Sequence, residues 1–323
     1  MRVLITGAAG YLGSLLLEKL ATRPDLELLA TDLRPPTDLE DYTARAAGRL
    51  HFEPLDLRDG AAIDKLVGRF KPEIVVHLAA VVDPKAPRRL AFEVDVEGTK
   101  KLVRACLEAQ TRRLVTTSSG AAYGYRASHP RWIDEDTPLG ADEAFAYAWH
   151  KRLVEEWLAE LRRERPELEQ VMLRPGTALG RGVETPVTRL FEGRFLLGVR
   201  GGDDRFVFIW DRDAARALEH ALDGPVGVFN LAGDGALSMA AIAKRLGAVL
   251  VRVPSGPLAS VLWLGRRVGL PLPDPAQISF LKYRPVLSNR RLKEDFGFTP
   301  EKNSAEAFEV YAAARPRPRR SQP

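Results

Sequence analysis

"RVLITGAAGYLGSLLLEKL", residues 2–20, joins an apolar run to a helical pattern through three glycines, and its reading decides the fold. Val3, Leu4 and Ile5 are apolar at consecutive positions, as in a strand buried on both faces. From Tyr11 onward leucines recur at helical spacing. Gly7 permits a tight turn after the strand, Gly10 lets backbone approach a pyrophosphate, and Gly13 lets the helix pack close to a sheet. The helix start offers free N–H groups and a positive dipole to phosphate oxygens. Three spaced glycines alone are weak evidence, but the strand and helix that the motif requires are both present. Tyr11 and Leu12, inside the same loop, belong to the expected cofactor site.

The pattern repeats outward from this unit. "LELLATD", "HFEPLD", "EIVVHLAA", "RRLVTTSS" and "EQVMLRPG" read as strands, with helical patterns between most of them. Such alternation predicts an α/β fold, a Rossmann-like doubly wound parallel sheet with helices on both faces. The dinucleotide-binding domain is expected over 1–175, with 205–235 returning to it through the strand "VGVFNLAG". Beyond Pro175 prolines and glycines become frequent, and 176–204 with 236–312 read as a smaller, interleaved C-terminal lobe for substrate. Residues 313–323 read as a disordered basic tail, which in "ARPRPRRSQP" has four arginines and no carboxylate.

Composition narrows the function. Apolar residues at 45% and charged residues at 28% describe an ordinary globular chain. Net charge is +5, much of it in the tail, and no basic stripe interleaved with aromatics accompanies it, so nucleic acid is not an expected partner. A single cysteine, Cys106, excludes an internal disulfide and a cysteine-based zinc cluster, and it reads as a helix residue of the core. No metal site is expected. The chain opens directly on a strand, without a leader pattern, which with the cysteine usage predicts a cytoplasmic protein. The apolar run "GPLASVLWLGRRVGLPLP" is cut by Arg266 and Arg267 and is too short to span a bilayer, so no membrane span is expected. It reads as lining for a substrate pocket, with a surface placement as the alternative.

Asp32 ends the second strand, nineteen residues after Gly13. A carboxylate there accepts hydrogen bonds from a ribose 2′-OH and repels a 2′-phosphate, which favours NAD over NADP. Arg34 is the complication, since an arginine can pair with a 2′-phosphate. Asp56 ends the third strand and is placed at an adenine edge, Leu57 beside it belongs to the cofactor site, and Asp59 reads as a helix cap. Leu78, Ala79 and Ala80 end the fourth strand, where the cofactor must pass over small side chains.

Taken with "SSGAAYGYRASHPRWIDEDTPLGADEAFAYAWHK" (118–151), these residues resemble the extended short-chain dehydrogenase/reductases, the NAD-dependent epimerase/dehydratase family. "TGAAGYLG" matches the family's TGxxGxxG, "DLRD" its adenine-side motif, "SSGAAYG" its SSxxxYG and "YAWHK" its YxxxK. "LRPGTALG" matches RPxNxxG, and "FIWDRDAARAL" and "FNLAG" follow in the family's order. The resemblance covers nearly the whole chain. It implies an NAD(P)-dependent enzyme in which Tyr147 exchanges a proton with the substrate oxygen, Ser119 hydrogen-bonds that oxygen, and Lys151 serves both Tyr147 and the nicotinamide ribose. Thr117, Pro175 and Thr177 then line the cofactor, and the resemblance suggests a homodimer through the helices of "EGTKKLVRACLEAQ" and "YAWHKRLVEEWLAEL", with apolar stripes that face the chain's own sheet as the alternative.

YxxxK places Tyr147 and Lys151 one helical turn apart on one face. A free tyrosine titrates near 10, and a neighbouring ammonium favours the phenolate, which predicts proton exchange closer to neutrality. Val82, Gly120, Ala121, Tyr123, Phe206 and Trp210 are the expected substrate-lining residues, Tyr123 with a structural role as the alternative.

Several positions depart from the family pattern. Gly120 and Ala121 stand where several dehydratases carry an Asp-Glu pair, which argues against dehydration. Asp95 replaces the asparagine of NVxGT, and Thr177 that of RPxNxxG. Phe206 stands where many nucleotide-sugar enzymes have a diphosphate-binding arginine, and Trp210 replaces the histidine of the next motif. A buried diphosphate needs cations, so these changes lean toward a less charged secondary alcohol or ketone, unless Arg189, Arg194 or Arg200 supplies the charge. The expected function is NAD-dependent hydride transfer, with nucleotide-sugar 4-epimerisation as the alternative and a non-catalytic dinucleotide sensor as a third reading.

Overall fold

The structure, a computed structural model, describes residues 1–202, 204–256 and 277–315. Most of the apolar run at 256–273 and of the basic tail lies outside the described residues.

Seven parallel strands form the central sheet. In chain order they are β1 (Arg2–Thr6), β2 (Glu27–Asp32), β3 (Leu50–Pro54), β4 (Ile74–His77), β5 (Arg113–Thr117), β6 (Glu169–Pro175) and, much later, Gly227–Leu231. Their spatial order runs β3-β2-β1-β4-β5-β6 and ends on Gly227–Leu231, which pairs with β6 in register Phe229 to Leu173. Strand order reverses between β1 and β4, and the carboxyl ends of these two strands open the crevice in which doubly wound folds take their ligands.

Alternation along each strand divides the core into two layers. Val3, Ile5, Val76, Val115 and Leu173 face helix α1 (Tyr11–Leu20) on one side. Leu4, Val75, Leu114 and Met172 face the other side, against α3 (Gly60–Phe70), α5 (Thr99–Glu108) and α6 (Ala146–Glu164). Two shorter helices, α2 (Leu39–Arg45) and α4 (Arg88–Phe92), precede β3 and α5. Asp59 caps α3 by accepting the Ala62 N–H at 3.0 Å, and Cys106 is fully buried on α5, both as the sequence predicts.

The remaining strands are short and stay out of the sheet. β7 (Thr177–Leu179) pairs with β10 (Phe208–Trp210), β8 (Phe195–Val199) with β13 (Val249–Val253), and β9 (Arg205–Phe206) with β12 (Leu237–Ser238). Within 205–235, therefore, only Gly227–Leu231, here β11, joins the sheet by hydrogen bonds; α7 (Asp211–His220) returns by packing on α1. A separate aromatic core holds the second lobe, with Phe191, Phe206, Phe208 and Phe308 in mutual edge and stacked contacts.

Candidate active site

The glycine loop is built by exclusion. Gly7 has φ +71°, and a Cβ there would stand 2.5 Å from the Ala79 nitrogen. A Cβ on Gly13 would overlap the Gly7 carbonyl oxygen, so α1 can start this close to β1 only with hydrogen at that position. Around Gly10 the nearest obstacle is the Gly7 oxygen at 3.1 Å, which leaves its outer face open. No side chain caps α1, and no acidic residue occupies its first turn. The result is a cradle of backbone N–H groups at a helix start with room for a pyrophosphate, which fits a dinucleotide. Asp32 braces the loop, with Oδ2 accepting the Ala9 N–H at 3.0 Å and Oδ1 the Leu33 N–H at 2.7 Å. Arg34 is exposed.

The other cofactor candidates divide. Leu78, Ala79 and Ala80 follow β4 beside Gly7 and remain half-exposed. Leu57 turns its side chain into the core under Gly98, leaving only its backbone for a ligand. Asp56 is held by Arg58, whose Nε stands 3.0 Å away, and this pairing lowers the carboxyl below its ordinary range. Tyr11 donates to Asp211 Oδ2 at 2.5 Å and so ties the loop to α7. Leu12 packs on the core beneath α1.

Beside β5 the second half of the site assembles. Tyr147 lies on the first turn of α6, Lys151 on the next, and both are partly exposed. Lys151 Nζ donates to the Thr117 carbonyl at 2.8 Å and stands 5.8 Å from the centre of the Tyr147 ring. Ser119 accepts the Ala121 N–H at 3.1 Å. One expectation is corrected here: burial pushes the Tyr147 phenol up to about 12, opposed by a hydrogen bond to Ser119. Burial also lowers Lys151, while Asp95 and Glu155 raise it. Desolvation outweighs the Ser119 hydrogen bond, so in the protein alone the phenol keeps its proton at neutral pH.

Beneath Lys151 lies a polar layer that spacing alone does not reveal. A cavity of about 10 Å³, the size of one water, is lined by His77, Asp95, Thr99, Thr117, Lys151 and Glu155 among others. His77 bridges Thr6 Oγ1 at 2.7 Å and Thr99 Oγ1 at 2.8 Å, and burial pushes it down to about 3. Ser118 donates to Glu155, which pairs with Arg174 at 2.7 Å. Arg174 donates onward to the Tyr123 hydroxyl at 2.7 Å, and Tyr123 donates to Asn230 Oδ1 at 2.9 Å. Tyr123 is thus fully buried in a structural network, and its placement as substrate lining is corrected.

The substrate side also differs from its expected lining. Phe206 is 3% exposed and stacks on Phe208, so it belongs to the core of the second lobe. Gly120 is buried against Leu287, Ala121 is partly exposed, and Val82 is exposed. Trp210 lies under Lys302 Nζ at 4.8 Å. Pro175 and Thr177 flank the junction of β6 with β7. Two groups went unnoticed in the sequence, Tyr125 and Arg284. Tyr125 packs edge-on against Phe145 at 4.6 Å and Phe280 at 5.1 Å, and its hydroxyl feels both Tyr147 and Arg284. Arg284 is buried between the rings of Phe206 at 3.8 Å and Phe280 at 4.1 Å, and its Nη2 has no hydrogen-bond partner among the described residues. Arg189, Arg194 and Arg200 are all exposed. Among the described residues no His, Cys, Asp and Glu group is arranged to hold a metal ion, and no helix is long and apolar enough to cross a membrane.

A parallel sheet with a glycine cradle at its switch point, and a Tyr/Lys pair beside the next strand end, defines a dinucleotide-binding protein of the Rossmann-like class. The chain belongs to the NAD dependent epimerase/dehydratase family, which it matches over residues 3–232. An uncharacterised protein of Mycobacterium tuberculosis is 29% identical over 97% of this chain and 84% of its own length. The sterol-4-alpha-carboxylate 3-dehydrogenase (decarboxylating) of Schizosaccharomyces pombe is 30% identical over 56% of this chain and 51% of its own. Among solved structures, the UDP-glucose 4-epimerase of Thermotoga maritima shares the fold with a TM-score of 0.74 at 18% identity, covering 97% of this chain and 98% of that one.

Proposed function

We propose that the protein is an NAD-dependent oxidoreductase that transfers a hydride between the nicotinamide and a carbon bearing a secondary alcohol or ketone. The observation that carries this reading is the Tyr147–Ser119–Lys151 group at the carboxyl end of β5, across the switch point from the Gly7–Gly13 cradle. NAD, when bound, supplies the hydride acceptor and its positive charge. The chain's own residues do the rest. The cradle holds the pyrophosphate, Asp32 receives the adenosine ribose, and Lys151 turns its remaining N–H groups to the second ribose. Tyr147 takes the proton of the substrate hydroxyl, or returns it to the carbonyl, and Ser119 donates to the same oxygen. A phenol raised to about 12 is a poor base, so added positive charge near it is what brings it into range.

Tyr125 and Phe280, in edge-on contact at 5.1 Å, offer the substrate side aromatic walls, which suits an apolar or alicyclic body. A second reading, nucleotide-sugar 4-epimerisation, is favoured by one specific observation. Arg284 is a buried cation with an unmet donor, and with Arg126 and His129 it lines a cavity of about 230 Å³. Epimerisation returns the hydride and accumulates no NADH. The test is to incubate the protein with NAD and, separately, with hydrophobic alcohols, alicyclic hydroxy acids and nucleotide sugars. NADH accumulation with an alcohol supports the first reading, and a converted sugar without NADH supports the second. A Tyr147→Phe variant with unchanged turnover of the accepted substrate would overturn both.

A further inference from the structure

We propose that Asp95 and His150 form a positioning pair for the Tyr147–Lys151 centre, in which Asp95 ties the chain after β4 to α6 and supplies the buried negative charge that keeps Lys151 an ammonium. The inference rests on the reading of Tyr147 and Lys151 as the proton-transfer pair.

The pair is specific in its geometry. Asp95 lies in a π-helical stretch, Glu93–Gly98, a wide turn of the kind found at functional positions. Its Oδ1 accepts the Val81 N–H at 2.7 Å, just past the strand end that crosses the cofactor crevice. Its Oδ2 accepts from His150 Nδ1 at 2.9 Å, and His150 is the residue before Lys151. Both side chains are buried, and the imidazole packs edge-on against Phe92 at 5.6 Å. A buried carboxylate persists only if its oxygens are satisfied, and here a backbone amide and an imidazole do so.

The consequence concerns Lys151. Asp95 lines the same small cavity as Lys151, yet no hydrogen bond joins the two. Its charge therefore acts through space and leaves the ammonium's N–H groups for Thr117 and for ligand. An asparagine at 95 would accept the Val81 N–H equally well but would bring no charge. The other titratable groups facing Lys151 are Glu155 and Tyr147 on α6 and His77 at the end of β4. Glu155 is already engaged by Arg174, and burial holds His77 neutral. Asp95 favours the ammonium of Lys151 and opposes the phenolate of Tyr147. Its loss should move both titrations the same way, toward lower pH.

The experiment is competitive acetylation of the full-length protein with acetic anhydride across a pH series, with the Lys151 peptide quantified by mass spectrometry. Asp95→Asn should move the labelling midpoint of Lys151 down by about one pH unit, so that below the midpoint Lys151 labels roughly tenfold faster than in the parent. His150→Asn retains the charge at Asp95, and its midpoint should stay in place or rise. A midpoint unmoved in Asp95→Asn overturns the proposal, and so does a downward shift in His150→Asn, which can be read even if the first variant does not fold. Labelling needs no turnover, so either outcome is separate from the Tyr147→Phe test of the reaction.

Discussion

The two sides of the crevice are stabilised by different means. On the cofactor side, backbone meets backbone. Gly7 touches Ala79, Gly13 touches Gly7, and the strands beneath are buried on both faces. On the side of the second lobe, side chains meet side chains. Two- to five-residue strands carry an aromatic cluster, and a guanidinium lies stacked between two rings with one donor unmet. The first side tolerates almost no added atom. The second side puts its unmet donor, on Arg284, at the wall of a cavity of about 230 Å³, as a surface shaped for a ligand does.

This contrast is broken most sharply at the junction between the two sides. Tyr147→Phe should lower kcat by about 10²–10⁴-fold, with NAD affinity and melting temperature unchanged; a fall in NAD affinity of similar size would place Tyr147 on the cofactor side instead. Next, Gly7→Ala should cost about 3 kcal/mol of folding stability, through left-handed backbone and contact with Ala79, measured by denaturant unfolding. Arg284→Met should do the opposite. Replacing a buried, partly unpaired cation by an apolar side chain is expected to be neutral or to add about 1–2 kcal/mol, while KM for an anionic substrate rises by roughly tenfold or more. If Arg284→Met destabilises as much as Gly7→Ala, the contrast between the two sides fails.

A further effect is a pH dependence seated under both sides. His77 titrates near 6.5 when unfolded and is pushed down to about 3 in the fold. Between these values the unfolded chain binds a proton that the native state refuses, so stability should fall as pH drops, by about 1.4 kcal/mol per unit from this group. Melting temperatures from pH 6.5 down to 4.5 should fall less steeply in His77→Asn than in the parent.

The same contrast explains what the sequence revealed. Glycine sterics are local, so Gly7, Gly10 and Gly13 are read from one short stretch, and consecutive apolar residues mark the buried strands. Tyr147 and Lys151 are equally legible, because one helical turn relates them. Their electrostatics were not: the spacing predicts a lowered phenol, and the fold raises it by burial. Arg284 was missed because its stacking partner Phe206 comes from a distant part of the chain, and neither sits in a periodic pattern. Tyr123 was misplaced because an SSxxxYG motif does not show where a tyrosine hydroxyl ends, whereas its partners Arg174 and Asn230 do.

The late pairing of β11 with β6 has a consequence during synthesis. When Pro175 leaves the ribosome, β6 can already pair with β5, but its other edge has no partner until Gly227–Leu231 has been made. For that interval a strand carrying Val171 and Leu173 presents an open row of amides and carbonyls, the kind of edge that recruits another chain. The growing polypeptide is therefore most prone to self-association between these two points, and a fragment ending near residue 176 should be far more dependent on chaperones than the full chain.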